Sequence, residues 1–176
     1  MKANTIRIAV FLLLSSFASS KDVTIDGGSV VFSIPGEFSD LSQEEINAKY
    51  PSINAPKQVV GTEGRSTTIA YQLQEQSVKL SDLPDVQEAF TKVFDRIIPG
   101  IEWKQNALID LAGQKWLLME MTSRAIDQDI HNIVLITSHK GKMLMFNFNS
   151  TKNEFPKMES ILRDSINTIT LNHESA

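Results

Sequence analysis

The chain has 176 residues, with 17 Lys and Arg against 21 Asp and Glu, a formal net charge of −4, and no cysteine. Without a thiol there is no disulfide, no cysteine nucleophile and no lipid-modified cysteine at an export cleavage point. The acidic balance, with no basic stripe, argues against nucleic acid and anionic lipid, both of which are bound by neutralising phosphate charge.

Lys2 and Arg7 precede an apolar run from Ile8 to Leu14 and then small residues up to Ser20. That order is the charged, apolar and small-residue sequence of a secretory signal, so residues 1–20 are expected to be a signal peptide. Cleavage is expected before Lys21, with cleavage after Ala18 as second choice. The apolar run falls short of the roughly 20 residues that a bilayer-spanning helix needs, so no stable membrane anchor is expected. Residues 21–176 then form one domain, which carries 15 basic and 21 acidic residues, a net charge of −6.

Short β-prone runs at Asp22 to Ile25 and Ser29 to Ile34 flank Gly27-Gly28, a hairpin signal closed by Pro35-Gly36. Ser42 and Glu45 are spaced as a capping box, with Leu41 and Ile46 as its apolar staple, so a short helix to about Tyr50 is expected. Lys57 to Lys79 is β-rich and broken at Thr62 to Gly64. In its second half Thr67, Ile69, Tyr71 and Leu73 alternate with Ser66, Thr68, Ala70 and Gln72, which places one apolar face on a strand. The period then changes. Leu83, Val86, Phe90, Val93, Phe94 and Ile97 recur at three and four, and Pro99-Gly100 stops the helix.

From Glu102 a meander follows, with strands Glu102 to Asp110, Lys115 to Ser123, Ile130 to Ser138 and Lys142 to Asn149. Apolar residues occupy both alternating sets from Lys115 onward, as expected of strands covered on both faces. A last helix is expected from about Pro156 to Thr168, with Ile169 on its apolar side, and the final residues, His173 among them, are expected to fray. The fold class is α+β: a mainly antiparallel sheet of about six to seven strands sandwiched between the helices, which are the layers available to cover it.

The segments VFSIPGEFSD, DLAGQKWLLMEM and HKGKMLMFNF, and Phe155 ahead of a helix carrying Ile161, Leu162 and Ile166, stand in an order that resembles the PsbP-like fold. That superfamily holds the PsbP subunit of photosystem II, a Ran-binding import factor and bacterial DcrB- and EagR-type proteins. The resemblance covers most of Val23 to Leu171. It implies a domain that works by binding other proteins, and it transfers no site residue.

Asp127, Asp129 and His131 alternate on an extended segment and are the candidate partner contacts; as metal ligands they lack a further donor, and a solvated turn is the plainer reading. Met119 with Met121 and Met143 with Met145 are soft-ligand pairs for cuprous ion, but in apolar strands they read as core filler. His131 and His139 are expected at the surface. Glu102 and Glu120, on adjacent strands, are the one carboxylate pair for an acid–base mechanism, more plainly charges on the wet side of a hairpin. Asn149-Ser150-Thr151 fits a glycosylation acceptor. With no nucleophile elbow, zincin or dinucleotide motif, a non-enzymatic chain without cofactor is expected. The expected function is that of an exported protein-binding domain of the bacterial periplasm, either an immunity protein against a basic secreted toxin or an envelope assembly or stress factor. The alternative is a small-ligand-binding or enzymatic domain with a pocket between sheet and helix.

Overall fold

A computed structural model describes residues 19–50, 55–124 and 128–172. In chain order the elements are β1 (Ser20–Ile25), β2 (Val30–Pro35), β3 (Ser39–Asp40), α1 (Gln43–Lys49), β4 (Gln58–Gly61), β5 (Thr67–Ser77), α2 (Leu83–Ile97), β6 (Glu102–Leu111), β7 (Gln114–Arg124), β8 (Asp129–His139), β9 (Lys142–Thr151), α3 (Phe155–Asn167) and β10 (Thr170–Leu171). Seven strands form an antiparallel sheet in the order β3-β4-β5-β9-β8-β7-β6, and β1-β2-β10 form a second, smaller sheet.

Local chemistry explains the boundaries. The Ser42 hydroxyl accepts from the Glu45 amide at 3.3 Å while the Glu45 carboxylate accepts from the Ser42 amide at 2.7 Å, which completes the capping box of α1. Helix α2 ends at Ile97, just ahead of Pro99-Gly100. In β4, an added Cβ at Gly61 would stand 2.6 Å from the Thr67 carbonyl, so only glycine allows this turn into β5 to close.

Residues on the two faces of the large sheet enter different cores. One face carries Ile69, Tyr71, Trp116, Leu118, Ile133, Leu135, Phe146 and Phe148, packed against Phe32 and Ile34 of β2 and Leu162 and Ile166 of α3. The other carries Leu117, Met119, Met121, Val134, Ile136 and Met143 beneath α2, and Val59 and Ala70 beneath α1. The methionine pairs lie in this second core. Adjacent residues such as Leu117 and Leu118 thus serve opposite layers, the reason apolar residues fill both alternating sets.

The expected antiparallel sheet of six to seven strands between helices is what the structure shows, with α1 and α2 on one face and α3 on the other, where the β1-β2-β10 sheet shares the cover. In β2, Val30, Phe32 and Ile34 are buried and Val31 and Ser33 half-buried between them, so one face of the hairpin enters the core. The final residues expected to fray, His173 among them, lie outside the described residues; before them the chain stays paired. Ile169 is buried, Thr170 and Leu171 pair with Val31 and Val30, and the Asn172 amide donates to the Ser29 carbonyl at 2.7 Å.

Candidate binding surface

Asp127 lies outside the described residues. Asp129 opens β8, and its carboxylate accepts from the Lys152 ammonium at 3.1 Å. His131 turns inward. Its Nε2 is 2.7 Å from Glu120 Oε1, its ring stacks on Phe155 with centroids 3.5 Å apart, and its side chain is 11% exposed. Arg163 of α3 reaches the same Glu120 oxygen at 3.0 Å and is itself held by Glu159. The hydrogen bond from His131, joined by that from Arg163, holds the Glu120 carboxyl below the usual carboxylate value against the opposing effect of burial. A carboxylate pinned in its ionised form is a poor general acid. Glu102 stays outside, 70% exposed, and accepts from the Thr122 hydroxyl at 3.4 Å.

The surface placements expected for His131, His139 and Glu120 are therefore corrected. His139 is fully buried, with Nε2 2.8 Å from the Ser29 hydroxyl in the turn of the small sheet. Each lies where a distant segment, α3 or the β1–β2 turn, folds across the strand ends, and nothing within the strands announces that cover. No group of three or more His, Asp or Glu among the described residues is placed to hold a metal ion. Asn149 of the glycosylation tripeptide is buried within β9.

The exposed apolar side chains of α2 lie on the opposite face. Seven strands at about 4.8 Å spacing make a sheet about 29 Å wide, whereas each helix covers about 10 Å, so α1 and α2 leave a strip between them. One flank of α2 is tied to the edge strand β6: Gln87 donates to the Asn106 carbonyl at 3.0 Å, Asn106 donates to the Thr91 hydroxyl at 2.8 Å, and the Trp103 indole donates to Asp95 at 2.8 Å. At 3.6 residues per turn, Val93 and Ile97 fall on the other flank. There they are 38% and 59% exposed. The periodicity places both on the core face of the helix; the core does not reach them.

The floor of the resulting trough mixes polar and apolar side chains, of which Thr68, Ala70, Val134, Ile136 and Asn149 are buried. Thr68, Asn149 and Asn132 stand opposite one another across β5, β9 and β8, with Ala70, Asn147 and Val134 in the next rank and Gln72, Met145 and Ile136 beyond. Asn149 donates to Asn132 at 2.9 Å, Asn132 donates to Ser123 at 3.2 Å, and Gln74 donates to the Met145 sulfur at 3.2 Å. On the α1 side, Tyr50, Pro56, Ala70, Gln72, Met145 and Asn147 line a recess of about 160 Å³. The signal for this floor was present in the sequence: three asparagines sit inside strands, where asparagine is depleted.

No family model matches the sequence, and no curated protein matches it. Solved structures do. The cyanobacterial PsbP protein (CyanoP) of Synechocystis sp. PCC 6803 superposes with a TM-score of 0.64 at 18% identity, over 89% of this chain and 95% of that one. The chain has the PsbP-like fold. LpqN of Mycobacterium tuberculosis, described as involved in cell envelope biogenesis, matches at TM-score 0.56 and 12% identity over 88% of this chain and 91% of its own. Mog1, solved as a point mutant, matches at TM-score 0.56 and 13% identity over 89% of this chain and 97% of its own. At such identities the PsbP-like likeness is one of fold, and the trough has to be read from its own residues. Among the described residues no helix is long and apolar enough to cross a membrane.

Proposed function

We propose that this PsbP-like chain is an exported, non-enzymatic domain of the bacterial periplasm that binds another protein in the trough between α1 and α2. The carrying observation is the exposure of Val93 and Ile97 on one flank of α2, since large apolar side chains left in water suit a partner's surface. The rival small-ligand reading is less well supported, because the recess of about 160 Å³ is well under the roughly 300–1,000 Å³ of ordinary ligand pockets. Between an immunity protein and an envelope assembly or stress factor, the description of LpqN as an envelope-biogenesis protein favours the envelope role.

The test compares the tagged mature domain with its Ile97→Asp variant as bait on the envelope fraction. The wild type is expected to retain a specific polypeptide, and the variant to bind it about 30-fold more weakly, the loss of one central anchor worth about 2 kcal/mol. Circular dichroism should show both baits equally folded. Equal retention by both moves the contact away from the trough, and retention by neither overturns the protein-binding reading.

Export carries its own expectation. The Gly36 amide donates to the Ser19 carbonyl at 2.5 Å and Ser20 pairs with Pro35, so cleavage before Lys21 would remove residues that extend β1. This supports cleavage after Ala18. Intact-mass measurement on protein from the periplasm should therefore give a chain starting at Ser19; an unprocessed chain confined to the cytoplasm would sink the export reading.

A further inference from the structure

The recess beside α1 has a chemistry that the open trough does not need. Its wall is largely apolar, made by Tyr50, Pro56, Ala70 and Met145, and among the described residues no charged one lines it. Asn147, on the same wall, has a side-chain oxygen buried from solvent and without a hydrogen bond. The same holds for Asn149, two residues on and facing the same side of β9, whose side chain is 8% exposed and donates to Asn132 while its own oxygen receives nothing. Buried amide oxygens ordinarily have partners, and two unmet acceptors side by side mark a place where a donor is missing.

We infer that this recess is a binding site for one aromatic ring that carries a neutral N–H or O–H donor, an indole or phenol, with the donor directed to Asn147. Size fits the assignment: a cavity of about 150 Å³ holds a benzene molecule, and the recess measures about 160 Å³. The surroundings fit as well, since the Met145 sulfur and the Tyr50 ring offer a face and an edge on which an aromatic packs. Charge decides the kind of donor. An ammonium or guanidinium entering here would exchange water for neutral amide oxygens with no carboxylate beside them, which is a losing exchange for a full charge. A carboxylate would be set against the same oxygens. A neutral donor loses little water and gains the missing bond. The last torsion of asparagine is soft, so Asn147 turns its oxygen toward the ring without displacing β9.

The site does not depend on Ile97 and so stands or falls separately from the trough. The experiment is a titration of the isotope-labelled full chain, followed by the amide resonances of Asn147, Ala70 and Met145. The probes are indole, N-acetyl-tryptophanamide, N-acetyl-phenylalaninamide and N-acetyl-lysinamide. Saturable shifts at Asn147 are expected with indole and N-acetyl-tryptophanamide, at least fivefold weaker binding with the phenylalanine derivative, and none with the lysine derivative. In Asn147→Leu the preference for indole over the phenyl ring should vanish, and in Ala70→Leu, which fills the recess, every probe should lose binding. Equal binding of the phenylalanine and tryptophan derivatives to the wild type, a preference for the lysine derivative, or unchanged binding by Ala70→Leu overturns the assignment. Adding the peptide Gly-Gly-Trp-Gly-Gly separates the two sources of such a ring: binding at least as tight as indole shows that the recess receives a polypeptide side chain, whereas binding of indole alone shows that it receives a free small molecule.

Discussion

Phe32→Ala is expected to lower the free energy of unfolding by about 3–5 kcal/mol, the range for deleting a fully buried aromatic from a core. Phe32 is the central knob of the small sheet, completely buried, with its ring edge-on to Tyr71 at 5.2 Å and to Phe146 at 5.1 Å. Those two partners lie on β5 and β9, so one side chain joins the smaller sheet to the middle of the larger. A domain of this size has about 5–15 kcal/mol in total, and the variant should therefore be marginal at 37 °C. Urea denaturation followed by tryptophan fluorescence reads the loss. A change below about 1 kcal/mol would show that the small sheet docks without this ring.

Glu120→Ala should cost about 2–3 kcal/mol, below the 3–5 of a wholly buried ion pair because the Arg163 partner is part-exposed. Removing the carboxylate leaves the His131 imidazole without its partner beneath α3 and takes one of the two carboxylates that hold Arg163, whereas Glu120→Gln keeps a hydrogen-bonding group there and should cost less. The effect has a definite pH dependence. Glu120 is lowered in the folded protein from its ordinary value of 4.5, so its stabilisation is complete above that value and is lost as pH falls through the folded one. Glu45, held at about 2 chiefly by its hydrogen bond from Arg65, acts in the same direction from a half-exposed position. Wild-type stability should therefore decline on acidification below about pH 5, and Glu120→Ala should decline less steeply. Parallel curves for the two proteins between pH 6 and 3 would show that the charge of Glu120 contributes nothing.

What sequence could disclose followed the range of the interaction. The α1 capping box is a four-residue event, and the α2 periodicity with its Pro99-Gly100 stop spans one helix; both were legible because the residues that decide them are neighbours. The meander from β6 to β9 was legible for the same reason. The pairing of β5 with β9 sets Ile69 against Phe148, and no local pattern selects that partner among several strands of equal apolarity. The β10 pairing and the cover over His131 and His139 were invisible on the same ground. The trough illustrates a subtler limit: the spacing of Val93 and Ile97 states which side of α2 is apolar, but how much sheet rises to meet that side depends on how many strands assemble and how far apart two helices land.

Strand β2 lies between β1, the first strand, and β10, the last. During synthesis or passage through a translocation pore the chain emerges from its N-terminus, so the β1–β2 hairpin appears long before β9, α3 and β10 exist to receive it. Tyr71 reaches Phe32 early, but Phe146, Leu162 and Ile166, which complete its cover, are more than a hundred positions away. Such long-range closure is slow and leaves unfinished chains open to proteases and to one another. Loss of even the last few structured residues therefore removes the clasp that completes the small sheet, and a fusion joined tightly after Leu171 should disturb this molecule more than its distance from the trough suggests.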